Sequence, residues 1–200
     1  MATPSPPAKA NEARGEVTPV SYVRRGIVFA AIALTGLLAD LVSKELVFRW
    51  RGLPRANNEW WLIEGFCGIE TSVNLGALFG MGQGWTWLFV SLSFVAAIGI
   101  VVWLFAFQAA KDWVLVIVLA MVLGGIFGNL YDRLGLWDAP PELKYGVRDW
   151  ILFRFRQYTW PNFNIADSLL VCGAIWLVWH SYWVPDEQAS TAAAVTAAKK

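Results

Sequence analysis

Histidine and cysteine are scarce in this 200-residue chain, which has one histidine and two cysteines. Without a CxxC pair or a His/Cys cluster there is no metal-ligand spacing, and no cofactor is expected. Cys67 reads as a loop residue and Cys172 as part of an apolar helix, so the two are expected to stay unpaired. Charge is scarce too. Charged residues make up 16% of the chain and sum to a formal +1, which argues against a nucleic-acid partner. The stretch 85–107 contains no Asp, Glu, Lys or Arg.

Long apolar runs fill the space that charge leaves. The chain is 57% hydrophobic with mean hydropathy +0.48, well above an ordinary soluble domain. A spanning helix needs about 20 mostly apolar residues. Residues 26–48, 85–107, 113–134 and 165–183 each meet that requirement. They predict an all-α membrane protein built as a four-transmembrane-helix bundle. A soluble bundle would have to cover each of these segments with protein on every side. Many of the 13 tryptophans fall near predicted boundaries, among them Trp50, Trp85, Trp113, Trp137, Trp160 and Trp183, as interfacial anchors do. Arg24-Arg25 before an apolar run imitates a secretory signal. The run continues past Asp40 and no clear A-x-A site ends it, so an uncleaved first helix is expected. Residues 1–21, rich in Pro and Ala, and the Ala-rich residues 185–200 are expected to be disordered tails around a domain at 22–184.

Four crossings place both termini on one side. The link 108–112 is short, as between antiparallel helices. The links 49–84 and 135–164 are long and share the opposite side. That side also collects Asp40, Lys44, Glu45, Asp132, Arg133, Asp149 and Asp167. Ionisable groups at a bilayer edge are costly, and such a cluster marks a functional site by default. Basic residues are spread over both sides, so their count does not orient the chain; Arg24-Arg25 favours cytoplasmic termini. Residues 69–73 resemble a strand and give a small extracytoplasmic β-like subdomain. Residues 147–160 alternate aromatics with Arg and read as an interfacial segment.

Each polar group has a structural reading beside a functional one. Asp40 and Lys44, four apart, share a helix face and favour a structural ion pair. Asn129 and Arg133 share another face. Arg133 suits a helix C-terminus, but Asp132 beside it does not, and needs a buried donor or a Lys or Arg from another segment. Asn164 and Asp167 fit a helix start, with Asn164 as N-cap and Asp167 as the N3 acceptor. Asp149 reads either as a solvated loop charge or as a site acid. Ser43 and Lys44 are adjacent on a helix, point about 100° apart, and cannot form a Ser-Lys dyad. His180 lies at the far end of the last helix.

Taken in order, five patches carry a resemblance. They are Asp40-Leu41-Val42-Ser43-Lys44; Asn74-Leu75-Gly76-Ala77-Leu78-Phe79-Gly80; Gly124-Gly125-Ile126-Phe127-Gly128-Asn129-Leu130-Tyr131-Asp132-Arg133; Val147-Arg148-Asp149-Trp150; and Phe163-Asn164-Ile165-Ala166-Asp167-Ser168. Together they resemble the lipoprotein signal peptidase (signal peptidase II) family, from about residue 26 to 183. The resemblance implies an aspartic endopeptidase of the bacterial inner membrane. Such an enzyme removes the signal peptide from diacylglyceryl-modified prolipoproteins, just before the lipidated cysteine. It implies catalysis by Asp149 and Asp167 near the outer leaflet. Asn74, Gly76, Asn129, Arg133 and Asn164 would line the site or hold substrate backbone, with Asp40, Lys44 and Asp132 in support. The expected partners are the prolipoprotein and membrane lipids, and the expected state is a monomer. Leu78, Ile126, Arg148 and Trp150 depart from the family pattern, as does a longer stretch between Arg133 and Val147. Arg148 is expected to lower the pKa of Asp149 if its side chain turns inward. The rival reading is a small transporter or assembly factor that uses Asp40, Lys44 and Asp132 as a polar path. It requires ionisable groups spread through the bilayer.

Overall fold

The computed structural model describes residues 19–76 and 84–183, with side chains from residue 22 onward. The expected tails and the patch residues Ala77, Leu78, Phe79 and Gly80 lie outside the described residues, apart from the N-terminal stretch 19–21, which is helical. Four helices are long and apolar enough to cross a membrane. They are α1 (Pro19–Arg51), α2 (Thr86–Val101), α3 (Trp113–Arg133) and α4 (Ile165–Trp183). α2 continues through a π-helical turn at Val102–Ala106, which completes the predicted 85–107 span. α1, with 33 residues, runs further at both ends than the apolar window. At about 1.5 Å per residue it is roughly 50 Å long, more than the hydrocarbon core requires.

α3 is the central helix and packs against α1, α2 and α4. The small residues in its sequence explain why. A Cβ on Gly124 would sit 2.8 Å from the Ala33 carbonyl oxygen of α1, and one on Gly125 would sit 2.6 Å from that of Ala166 in α4. Both neighbours are backbone, so only glycine allows the helices this close. The remaining helices turn apolar side chains outward, such as Leu92, Val95 and Ile98 on α2 and Val171, Ile175 and Val178 on α4. In water such faces would need cover; in lipid they need none.

The two long connections meet in one antiparallel sheet of order β1-β2-β3-β4. Its strands are β1 (Trp60–Ile63), β2 (Cys67–Asn74), β3 (Val147–Phe155) and β4 (Tyr158–Phe163). The all-α expectation is thus amended: the β-like subdomain is a four-stranded sheet drawn from both connections. The predicted interfacial segment is a β-hairpin, β3 and β4, joined through Arg156 at φ 59°. Alternating aromatics and arginines carry the period-2 signal of a strand as readily as that of an interfacial segment. Cys67 opens β2 instead of lying in a loop, and Cys172 is exposed on α4; both are free. Trp137 is a further correction. It is buried against Val47 and Phe48 under the sheet, not anchored at an interface.

Candidate active site

The site is assembled where the C-terminal parts of α1 and α3, the start of α4 and the sheet converge. On β3 the side chains alternate: Val147 and Asp149 face a cavity of about 1420 Å³, while Arg148 points the other way. β2 fixes that register by pairing Ser72 with Asp149 and Val73 with Arg148. Asp167, in the first turn of α4, lines the same cavity, as do Asn74, Asn129 and Arg133. Leu92 and Ala96 of α2 and Leu170 and Val171 of α4 extend the lining as an apolar wall.

Asn164 organises both carboxylates. Its Nδ2 donates to Asp149 Oδ1 at 2.6 Å and to Asn129 Oδ1 at 3.1 Å. Its Oδ1 accepts from the Asp167 backbone N at 2.9 Å, and its own backbone N donates to Asp167 Oδ2 at 3.3 Å. The capping arrangement and the cavity placement therefore hold together. Asn129 Nδ2 donates to Asp167 Oδ1 at 2.7 Å, and its Oδ1 also accepts from Lys44 Nζ at 3.0 Å. Each cavity carboxylate is thus held by a neutral amide, and among the described residues neither forms an ion pair.

Burial dominates the electrostatics of Asp149. Its side chain is removed from water, and Asp167 adds like charge, so its carboxyl is pushed well above the ordinary carboxylate range. The Asn164 hydrogen bond opposes this in part. Arg148, expected to pull the value down, does not. Its side chain turns inward on the far face of β3 and reaches Asp132 instead.

Asp40, Lys44 and Asp132 stand behind the cavity with fully buried side chains. Lys44 Nζ lies 2.6 Å from Asp40 and 3.1 Å from Asp132. Asp40 Oδ1 accepts from the Ala166 backbone N at 2.9 Å, tying α1 to the start of α4. The partner that Asp132 required is therefore double: Lys44 from α1 and Arg148 from β3. Such closed, dry pairs form no polar path along the bundle, which removes the basis of the transporter reading. Gly76 accepts from Arg133 Nη2 through its carbonyl at 2.8 Å, and its N–H donates to Asn74 Oδ1 at 2.9 Å. Arg133 Nη1 is buried and has no hydrogen-bond partner among the described residues. Ser43 Oγ donates to its own helix at the Asp40 carbonyl, away from any nucleophile role. His180 sits at the other end of the bundle, 2.6 Å from Asp112. No group of three His, Cys, Asp or Glu converges as a metal site among the described residues.

Sequence reasoning left out the α2 wall and the Glu45–Arg148–Asp132 link. The α2 wall has no chemical signal in sequence. The link was detectable in principle, since reading 147–155 as a strand sets Arg148 and Asp149 on opposite faces.

Similarity to known proteins extends over most of the chain. A profile of the family described as Signal peptidase (SPase) II matches residues 32–183. The lipoprotein signal peptidase of Rhodopirellula baltica is 48% identical over 187 residues, covering 88% of this chain and 84% of that protein. The lipoprotein signal peptidase of Teredinibacter turnerae is 33% identical over 154 residues, covering 75% and 84%. A solved bacterial membrane enzyme structure shares the fold with a TM-score of 0.65 at 24% identity, covering 78% of this chain and 88% of that one. With four spanning-length helices and a family match over most of its length, this multi-pass membrane protein belongs to the signal peptidase II family.

Proposed function

We propose that this protein is an aspartic endopeptidase that removes the signal peptide from diacylglyceryl-modified prolipoproteins, cleaving before the lipidated cysteine. Asp149 and Asp167 are its catalytic pair. The observation that carries this reading is two carboxylates, from a strand and a helix start, lining one cavity with a neutral amide on each.

Two such carboxyls divide the work, one acting ionised and the other protonated. The ionised member takes a proton from water as that water attacks the scissile carbonyl. The protonated member donates to the carbonyl oxygen as the tetrahedral intermediate forms, and no covalent enzyme intermediate arises. Arg133, with one guanidinium nitrogen on Gly76 and another without a hydrogen-bond partner among the described residues, is set to hold a substrate backbone carbonyl. Asn74 lines the same cavity. The apolar α2 and α4 wall suits a substrate whose acyl chains stay in the bilayer while its peptide bond meets the carboxylates at the membrane edge.

The termini face the cytoplasm and the site lies near the outer leaflet of the inner membrane, a reading supported by Arg24-Arg25 in the N-terminal part of α1. The test replaces each acid in turn. Asp149→Asn and Asp167→Asn, purified and folded, should lose about 10²–10⁴-fold in turnover of a lipidated prolipoprotein peptide. Near-normal turnover by either variant removes that residue from the pair.

A further inference from the structure

Arg148 is the most fully engaged side chain behind the site, and the catalytic scheme does not use it. It is 2% exposed, although it is a charged residue next to a proposed catalytic acid. Nε and Nη2 donate to Asp132 Oδ1 at 3.1 and 2.8 Å, and its backbone N donates to Asp132 Oδ2 at 3.0 Å. Nη1 reaches Glu45 Oε2 on α1 at 3.2 Å. Its carbonyl accepts from Asn164 Nδ2 at 3.4 Å, the same nitrogen that holds Asp149. One residue therefore joins β3 to α1, α3 and the start of α4.

The longer connection between α3 and β3 completes the arrangement. Trp137 packs its ring 5.1 Å from the Arg148 guanidinium carbon and donates Nε1 to the Gly146 carbonyl at 3.2 Å. Phe48 of α1 lies edge-on to Trp137, with ring centroids 5.8 Å apart. The two rings keep water from the guanidinium, where a charged hydrogen bond is stronger than in solvent. Charge balance also requires Arg148. Without it, Lys44 would be the one cation touching two fully buried carboxylates, Asp40 and Asp132.

The geometry points to Arg148 as a positioning residue, capped by Trp137, that sets Asp149 opposite Asp167 by locking β3 onto α3. It rests on the reading of Asp149 and Asp167 as the catalytic pair. A strand freed to shift by about 1 Å would misplace the acid at a cost near 10²-fold, without touching the residues that hold substrate.

The test compares Arg148→Leu, Arg148→Lys and Arg148→Leu/Asp132→Asn with wild type, all purified, using a lipidated prolipoprotein peptide and a thermal melt. Arg148→Leu should lose about 10²-fold in kcat with KM changed less than about twofold. Arg148→Lys, which keeps the charge but not the fork, should recover about tenfold of that loss. The double variant removes the second buried carboxylate that Lys44 alone cannot balance, so its melting temperature should return toward wild type while kcat stays low. A folded leucine variant with kcat within about threefold of wild type overturns the proposal, as does a loss carried entirely by KM or recovery of kcat along with melting temperature. If neither leucine variant accumulates, Arg148→Lys decides: kcat reduced about tenfold at unchanged KM supports the role, and unchanged kcat overturns it. Asp149→Asn in the same assay separates the two readings, because full activity there rejects the catalytic pair whatever Arg148 does.

Discussion

Replacing Asn164 with Ala tests how the site holds its acids. The substitution removes the 2.6 Å donor to Asp149 and the 2.9 Å cap on the Asp167 backbone N. Loss of an N-cap costs about 1 kcal/mol of stability, which destabilises the start of α4 without dissolving it. Loss of a hydrogen bond to a charged group is worth about 1.5–3 kcal/mol. Expressed in the barrier, that is about a 10- to 10²-fold fall in kcat. The direction of the pH effect follows from the chemistry. Asn164 donates to the ionised carboxylate, so its removal raises the Asp149 carboxyl further above the ordinary range. The pair then needs a higher pH to keep one member ionised, and the acid limb of the pH–rate profile moves to higher pH. The measurement is kcat for a lipidated peptide between about pH 4 and 9 in detergent or lipid cubic phase, a range that brackets ordinary carboxylate and histidine titrations. An acid limb that superimposes on wild type, or moves to lower pH, refutes the assignment of Asn164 as the donor that keeps Asp149 ionisable.

Two further outcomes follow from the same structure. Gly128→Ala would set a Cβ 2.5 Å from Asp40 Oδ2 of α1, whose carboxylate is pinned by Lys44 and the Ala166 N–H, so α3 and α1 must part; the expected loss is about 1–3 kcal/mol, read as a lower melting temperature. Gly99→Ala, at an exposed position of α2 with nothing within 4 Å of the new Cβ, is its control and should be neutral or stabilising. The raised carboxyl of Asp149 also predicts how stability depends on pH. A carboxyl that holds its proton more tightly when folded contributes its stability below the unfolded carboxylate pKa and loses it as pH rises through the folded value. Asp149→Asn should therefore melt above wild type at neutral pH, with the difference shrinking toward acid; a variant that melts lower at neutral pH contradicts the buried, desolvated acid.

Sequence alone determined the four spans, because a bilayer demands about 20 apolar residues per crossing and leaves few alternatives. It also determined which acids gather at one end, since chain parity follows from counting crossings. The pairing of Asp40 with Lys44 was readable from helix spacing, and the capping role of Asn164 from its place before α4. Tertiary structure decided the rest. Whether 147–160 lay along an interface or folded into a sheet depended on β2, which is more than 70 residues earlier in the chain and pairs with β3 through Ser72 and Asp149. That pairing sends Asp149 into the cavity and Arg148 away from it. Local pattern could not choose between these outcomes, because strand register is set by a distant partner and a single step of register exchanges every side chain between the two faces.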